Sequence, residues 1–115
     1  MSLKLNTREV NGIIIIDLTG QITIGEASAA IRDEIRDQLG QKFNRILLNL
    51  ADITYIDSAG LGELTAAYTS VRNRGGALKL LSLTKRVRDL MQITKLYTVF
   101  DVYDEEKKAI ASFAA

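Results

Sequence analysis

Asp57-Ser58-Ala59-Gly60-Leu61-Gly62 is the stretch in which residue types and spacing point most directly to chemistry. An acid and a hydroxyl end the apolar run NLADITYI, and two glycines follow among the first residues of a predicted helix. Glycine lies about 1 kcal/mol below alanine per interior helix position, so a local requirement must offset it. Three kinds of chemistry suit the arrangement. In the first, Asp57 or Ser58 caps the helix, accepting hydrogen bonds from free backbone N–H groups for about 1 kcal/mol relative to alanine. The glycines then serve close packing of helix on strand. Capping accounts for one of the two polar residues, and no capping box accompanies it, because Leu61 stands three after Ser58 and Gly60 three after Asp57. The second is phosphate binding in a glycine-rich loop. Here no lysine follows Gly62 as a Walker loop requires, and Gly60-Leu61-Gly62 lacks the third glycine of the dinucleotide fingerprint. In the third, the Ser58 hydroxyl is itself a substrate, displayed at a helix start to another protein's active site. Gly60 and Gly62 leave little side-chain bulk around it, and a phosphoryl group there would meet free N–H groups and the positive end of the helix dipole.

The rest of the composition narrows the choice. The chain has no cysteine and no histidine, which excludes disulfides, thiol nucleophiles, zinc–thiolate sites and Ser-His-Asp machinery. Ser58 is therefore not a hydrolase nucleophile of the ordinary kind. A carboxylate-only magnesium site stays open by residue type, although the acids are scattered along the chain. A net charge of +1 with interleaved signs argues against a nucleic-acid face, and Lys85-Arg86 with Arg88 reads as a solvated helix face. The longest apolar run, Ile13 to Ile16, is far short of the roughly 20 residues that cross a bilayer. With no signal-peptide pattern at the start, a cytoplasmic protein is expected.

The elements that must position Ser58 follow from periodicity. Leu3 to Val10 and Ile13 to Leu18 are β-prone runs joined by Asn11-Gly12, the residue pair that a tight hairpin turn favours. Ala27, Ile31, Ile35 and Leu39 recur every four residues and predict a helix closed near Gly40. Arg45 to Leu50 reads as a buried strand. After Ser58, Leu61, Leu64, Tyr68 and Val71 mark one helix face, and Gly75-Gly76 ends it. A strand at Ala77 to Leu81, a helix capped by Thr84, a strand at Val99 to Val102 and a helix opening at Asp104-Glu105-Glu106 complete the chain. The order β-β-α-β-α-β-α-β-α predicts an α/β fold in one domain over 1–115, with a mixed, mostly parallel sheet of about five strands, about four helices and an N-terminal β-hairpin.

The segment N-L-A-D-I-T-Y-I-D-S-A-G-L-G-E-L closely resembles the signature of the STAS domain, and within it the anti-sigma factor antagonists of the SpoIIAA and RsbV type. The Asn11-Gly12 hairpin, Leu18-Thr19-Gly20, Arg74-Gly75-Gly76 and Val99-Phe100 also fall where that family has them, so the resemblance covers nearly the whole chain. It implies that Ser58 is phosphorylated by an anti-sigma factor that is also a serine kinase, within an environment formed by Asp57, Ala59, Gly60, Leu61 and Gly62. The domain itself would be no enzyme and hold no cofactor, since ATP belongs to the kinase. Unphosphorylated, it would bind that partner and release a sigma factor; a PP2C-type phosphatase would restore the free serine. Neither direct nucleic-acid binding nor membrane insertion is implied. The expected docking surface includes Gln21, Thr23, Ile24 and Glu26 with exposed parts of the helix from Ala59 to Arg74. Ile24 and Leu61 are either apolar contacts there or ordinary core, while Glu63 and Arg72 are expected to face water. Gln21 and Thr23 stand where relatives often carry acids, which bears on the partner's identity. The alternative within the family is a stressosome component or the STAS subunit of a lipid-transport ABC complex.

Overall fold

The computed structural model describes residues 3–114. Its sheet is five-stranded, in the order β1 (Leu3–Val10), β2 (Ile13–Ile22), β3 (Arg45–Ile56), β4 (Ala77–Leu81), β5 (Val102–Tyr103). β1 and β2 pair antiparallel and every later pair is parallel. Asn11 and Gly12 both have positive φ, at 54° and 81°, as a two-residue hairpin turn with the sheet's twist demands. The helices are α1 (Glu26–Gly40), α2 (Ser58–Asn73), α3 (Lys85–Thr94) and α4 (Glu106–Ser112). This is the α/β architecture expected from the alternation of periods.

Alternate side chains of the central strands serve two cores. Ile14, Ile16 and Leu18 of β2 join Ile46, Leu48 and Leu50 of β3 beneath α1, α2 and α3, through Ile31, Ile35, Leu64, Val71, Val87 and Met91. Ile13, Ile15, Leu47 and Leu81 point the other way and pack with Ala109 of α4 and with Phe113, the residue that closes that helix. A continuous isoleucine run is what a strand buried on both faces requires.

Three elements differ in extent from the periodicity reading, the first being β2, which continues past Leu18 to Ile22. β3 continues past Leu50 to Ile56. Leu50, Ile53 and Ile56 all enter the larger core although they stand three apart. Two register shifts against β2, between Asp17 and Thr19 and between Gly20 and Gln21, reset the alternation each time. β5 begins only at Val102. Lys95 closes α3 in the left-handed region, and a 3-10 turn at Leu96–Thr98 then carries Phe100 into the core. Thr84 stands at the N-cap of α3 without a side-chain capping bond. Its hydroxyl instead donates to the Ile53 carbonyl at 3.1 Å, on the stretch of β3 that outruns β4.

Candidate functional site: the start of α2

Asp57 is the N-cap of α2 and Ser58 its first residue. The Asp57 Oδ1 atom accepts the Gly60 N–H at 2.7 Å, and Oδ2 accepts the Ile24 N–H at 3.1 Å. The Asp57 backbone N–H donates to the Ile22 carbonyl at 3.2 Å. One acid thus caps a helix and ties down the loop between β2 and α1. Capping therefore falls to Asp57 alone. Ser58 is exposed, and its hydroxyl makes no hydrogen bond among the described residues.

The two glycines serve different ends. A β-carbon on Gly60 would stand 2.8 Å from the Ile22 carbonyl carbon, 2.9 Å from its Cγ2 and nearer still to its oxygen. Gly60 is buried and lets α2 meet β2 backbone to backbone. Gly62 has nothing within 4 Å of that position and lies on the exposed side of the helix. Open space thus surrounds Gly62, while Gly60 is required by packing against Ile22.

Leu61 is corrected as an apolar contact for a partner: it is 2% exposed and belongs to the larger core. Its spacing to Leu64 turns it inward with the rest of the α2 stripe. Ile24 is 77% exposed, beside Asp57 through its own amide. Ala59 and Glu26 are exposed, and Gln21 and Thr23 half-buried. Thr23 supports the loop through its carbonyl, which accepts both the N–H (3.2 Å) and the hydroxyl (2.9 Å) of Ser28. Gly25, with φ at 101°, turns the chain into α1 through a region that L side chains rarely adopt. Glu63 does not simply face water, for its side chain is 10% exposed and pairs with Arg32 of α1 at 2.8 Å.

Two features of the site escape residue-type reasoning. The Ile24 amide is a backbone group, so no sequence signal marks it as the partner of Asp57. Arg86, in the basic cluster read as a solvated face, places its guanidinium 4.5 Å from the ring centroid of Tyr55, two residues before Asp57. A basic residue near an aromatic in space but remote in sequence is invisible without the fold.

The site's donors suit an anion. The amides of Ser58 and Ala59 have no acceptor among the described residues, as expected of a first helical turn whose cap has taken only Gly60 and Leu61. Among those residues no group of three acids, histidines or cysteines is placed to hold a metal, and no helix is long and apolar enough to cross a membrane.

Comparison with known proteins gives a consistent result. The family model of the STAS domain matches residues 4–109. The anti-sigma F factor antagonist of Paenibacillus polymyxa is 24% identical, over 96% of this chain and 94% of its own. The anti-sigma-B factor antagonist of Bacillus subtilis is 28% identical, over 89% and 92%. Among solved structures, one protein of Thermotoga maritima superposes with a TM-score of 0.89 at 24% identity, covering 96% of this chain and 95% of that one.

Proposed function

The chain belongs to the STAS domain family, and from that premise we propose that it is an anti-sigma factor antagonist controlled by phosphorylation of Ser58. With Ser58 free, it binds an anti-sigma factor that is also a serine kinase, and a sigma factor is released. Transfer of the γ-phosphoryl group of the partner's ATP to the Ser58 oxygen ends that binding. A PP2C-type phosphatase hydrolyses the ester and resets the cycle. Two relatives named as anti-sigma factor antagonists, aligned over about nine-tenths of the chain or more, support the regulatory role.

The observation that carries the reading is the division of labour at the helix start. Because Asp57 supplies the cap, the Ser58 hydroxyl has no structural duty. Exposure and an unencumbered Gly62 flank leave room for a kinase site to close over it.

The switch follows from charge. A phosphoserine adds about −1.5 to −2 charges at neutral pH. Within the free domain, the Ser58 and Ala59 amides and the α2 dipole stabilise it by about 0.3–1 kcal/mol. In a complex, an interface covering the same spot has to desolvate that charge beside Asp57, and an uncompensated buried charge costs several kcal/mol. Since about 1.4 kcal/mol is tenfold in affinity, release by orders of magnitude needs no refolding.

The test is incubation with ATP and the anti-sigma-type serine kinases of the same genome, read by intact mass, with Ser58→Ala as control. Gain of one phosphoryl group that the control lacks is the expected result. A wild-type mass unchanged by every such kinase would overturn the reading and return Ser58 to a plain helix-start residue.

A further inference from the structure

We propose that the cleft between α1 and α2, away from Ser58, binds a small organic oxyanion through Arg36 and Arg74. The cleft is open to solvent, offers about 450 Å³ and is lined on the α1 side by Arg32, Ile35, Arg36 and Leu39. Its other wall is α2, where Ala66, Ala67 and Ser70 are too small to fill the space between the helices. The volume falls in the range of about 300–1,000 Å³ typical of small-molecule sites.

Charge decides the class of ligand. Arg32, Arg36 and Arg74 all line the cleft, and the one acid lining it, Glu63, is already engaged by Arg32 at 2.8 Å. Arg36 reaches Asp33 only at 4.0 Å, with both side chains 74% exposed, so that contact is solvent-screened. The only hydrogen bond of the Arg74 guanidinium among the described residues runs to the Leu39 carbonyl at 3.5 Å. Arg36 and Arg74 therefore border the cleft with most of their guanidinium donors unused. Their planar forks match carboxylate and phosphate oxygens, and Ser70 and Asn73 add neutral donors on the same wall. The buried side chains of Ile35, Leu39 and Ala67 form an apolar floor suited to the body of a small molecule.

The test is a titration of the isotopically labelled protein, followed by amide shifts, with phenyl phosphate and with benzoate as probes and phenol as the neutral control. Saturable shifts at Arg36, Ser70, Asn73 and Arg74 are expected with at least one anion, at a Kd of about 1 mM or tighter, and none with phenol. The double variant Arg36→Ala, Arg74→Ala should weaken binding at least about tenfold, as loss of charge-assisted contacts does. Ser70→Leu, which fills the cleft while leaving both arginines, should weaken it as well. Ser58→Ala should bind as wild type does, so the result is independent of the phosphorylation reading. Absence of saturable shifts with both anions would overturn the proposal. So would shifts that survive the arginine and leucine variants, or shifts centred on Ser58 and Ala59, which would place the anion at the helix start instead.

Discussion

The Asp57 carboxylate accepts the Ile24 N–H at 3.1 Å and the Gly60 N–H at 2.7 Å, so one side chain fixes both the start of α2 and the loop that precedes α1. Ser58, held between these two anchored segments, occupies a defined position without contributing to it. The loop that presents the exposed Ile24 and the helix that presents Ser58 are thus tied together through one carboxylate.

Asn and Ala substitutions at Asp57 should separate the two bonds. Asp57→Ala removes both, and a cost of about 1–2 kcal/mol is expected in urea unfolding, with loss of protection of the Ile24 amide in hydrogen exchange. Asp57→Asn keeps an oxygen for Gly60 but turns an NH2 group toward the Ile24 N–H. It should retain most of the stability while the Ile24 amide still exchanges faster. Equal protection of that amide in all three proteins would refute the tether.

The glycines predict opposite outcomes for one added methyl group. Gly60→Ala drives a β-carbon into the Ile22 carbonyl and should cost about 1–3 kcal/mol as α2 is pushed from β2. Gly62→Ala meets open space on a helical residue and should be stabilising by up to about 1 kcal/mol. Denaturant midpoints of the two variants decide this directly.

Ser58→Asp places a permanent carboxylate where the phosphoryl group is proposed to form. It should leave the circular dichroism spectrum and melting temperature near those of wild type. Its affinity for the partner kinase should fall by at least about tenfold, which corresponds to about 1.4 kcal/mol. Retained affinity would contradict an electrostatic and steric switch.

On the opposite face, Arg8 forks to Asp17 at 2.8 and 3.1 Å and to Glu106 at 3.0 and 2.6 Å, joining the hairpin to α4. The hydrogen bonds from Arg8 hold both carboxyls below their ordinary values of 3.8 and 4.5, against the opposing effect of burial. Lowered folded-state values mean that the unfolded chain binds more protons in this range. The contribution is thus full above about pH 5 and is lost as pH falls below 4 through the lowered values. Arg8→Met should flatten the acid limb of the stability–pH curve and leave its slope above pH 6 unchanged. An acid limb as steep as that of wild type would exclude this network as its source.

Much of the molecule is written in residue pattern. Asn11-Gly12 specifies the hairpin because few other pairs accept two positive φ angles, and the four-residue spacing of Ile31, Ile35 and Leu39 specifies α1 because burial must recur with the helical period. The same logic, followed strictly, places Leu61 in the core with Leu64 and Val71, which decides between the core and partner-contact readings in favour of the core. The Asp-Ser-Ala-Gly-Leu motif marks the candidate site. Tertiary structure decides how its parts divide the work. Either Asp57 or Ser58 can cap by type, and only the approach of the Ile24 amide and the Ile22 carbonyl assigns the cap to Asp57 and the need for glycine to position 60. The length of β3 was hidden because two bulges break the alternation that a strand reading relies on. The pairing of Glu63 with Arg32 and the stacking of Arg86 on Tyr55 each join residues about thirty positions apart. Such contacts depend on which surfaces the sheet brings together, a property that no local stretch of chain carries.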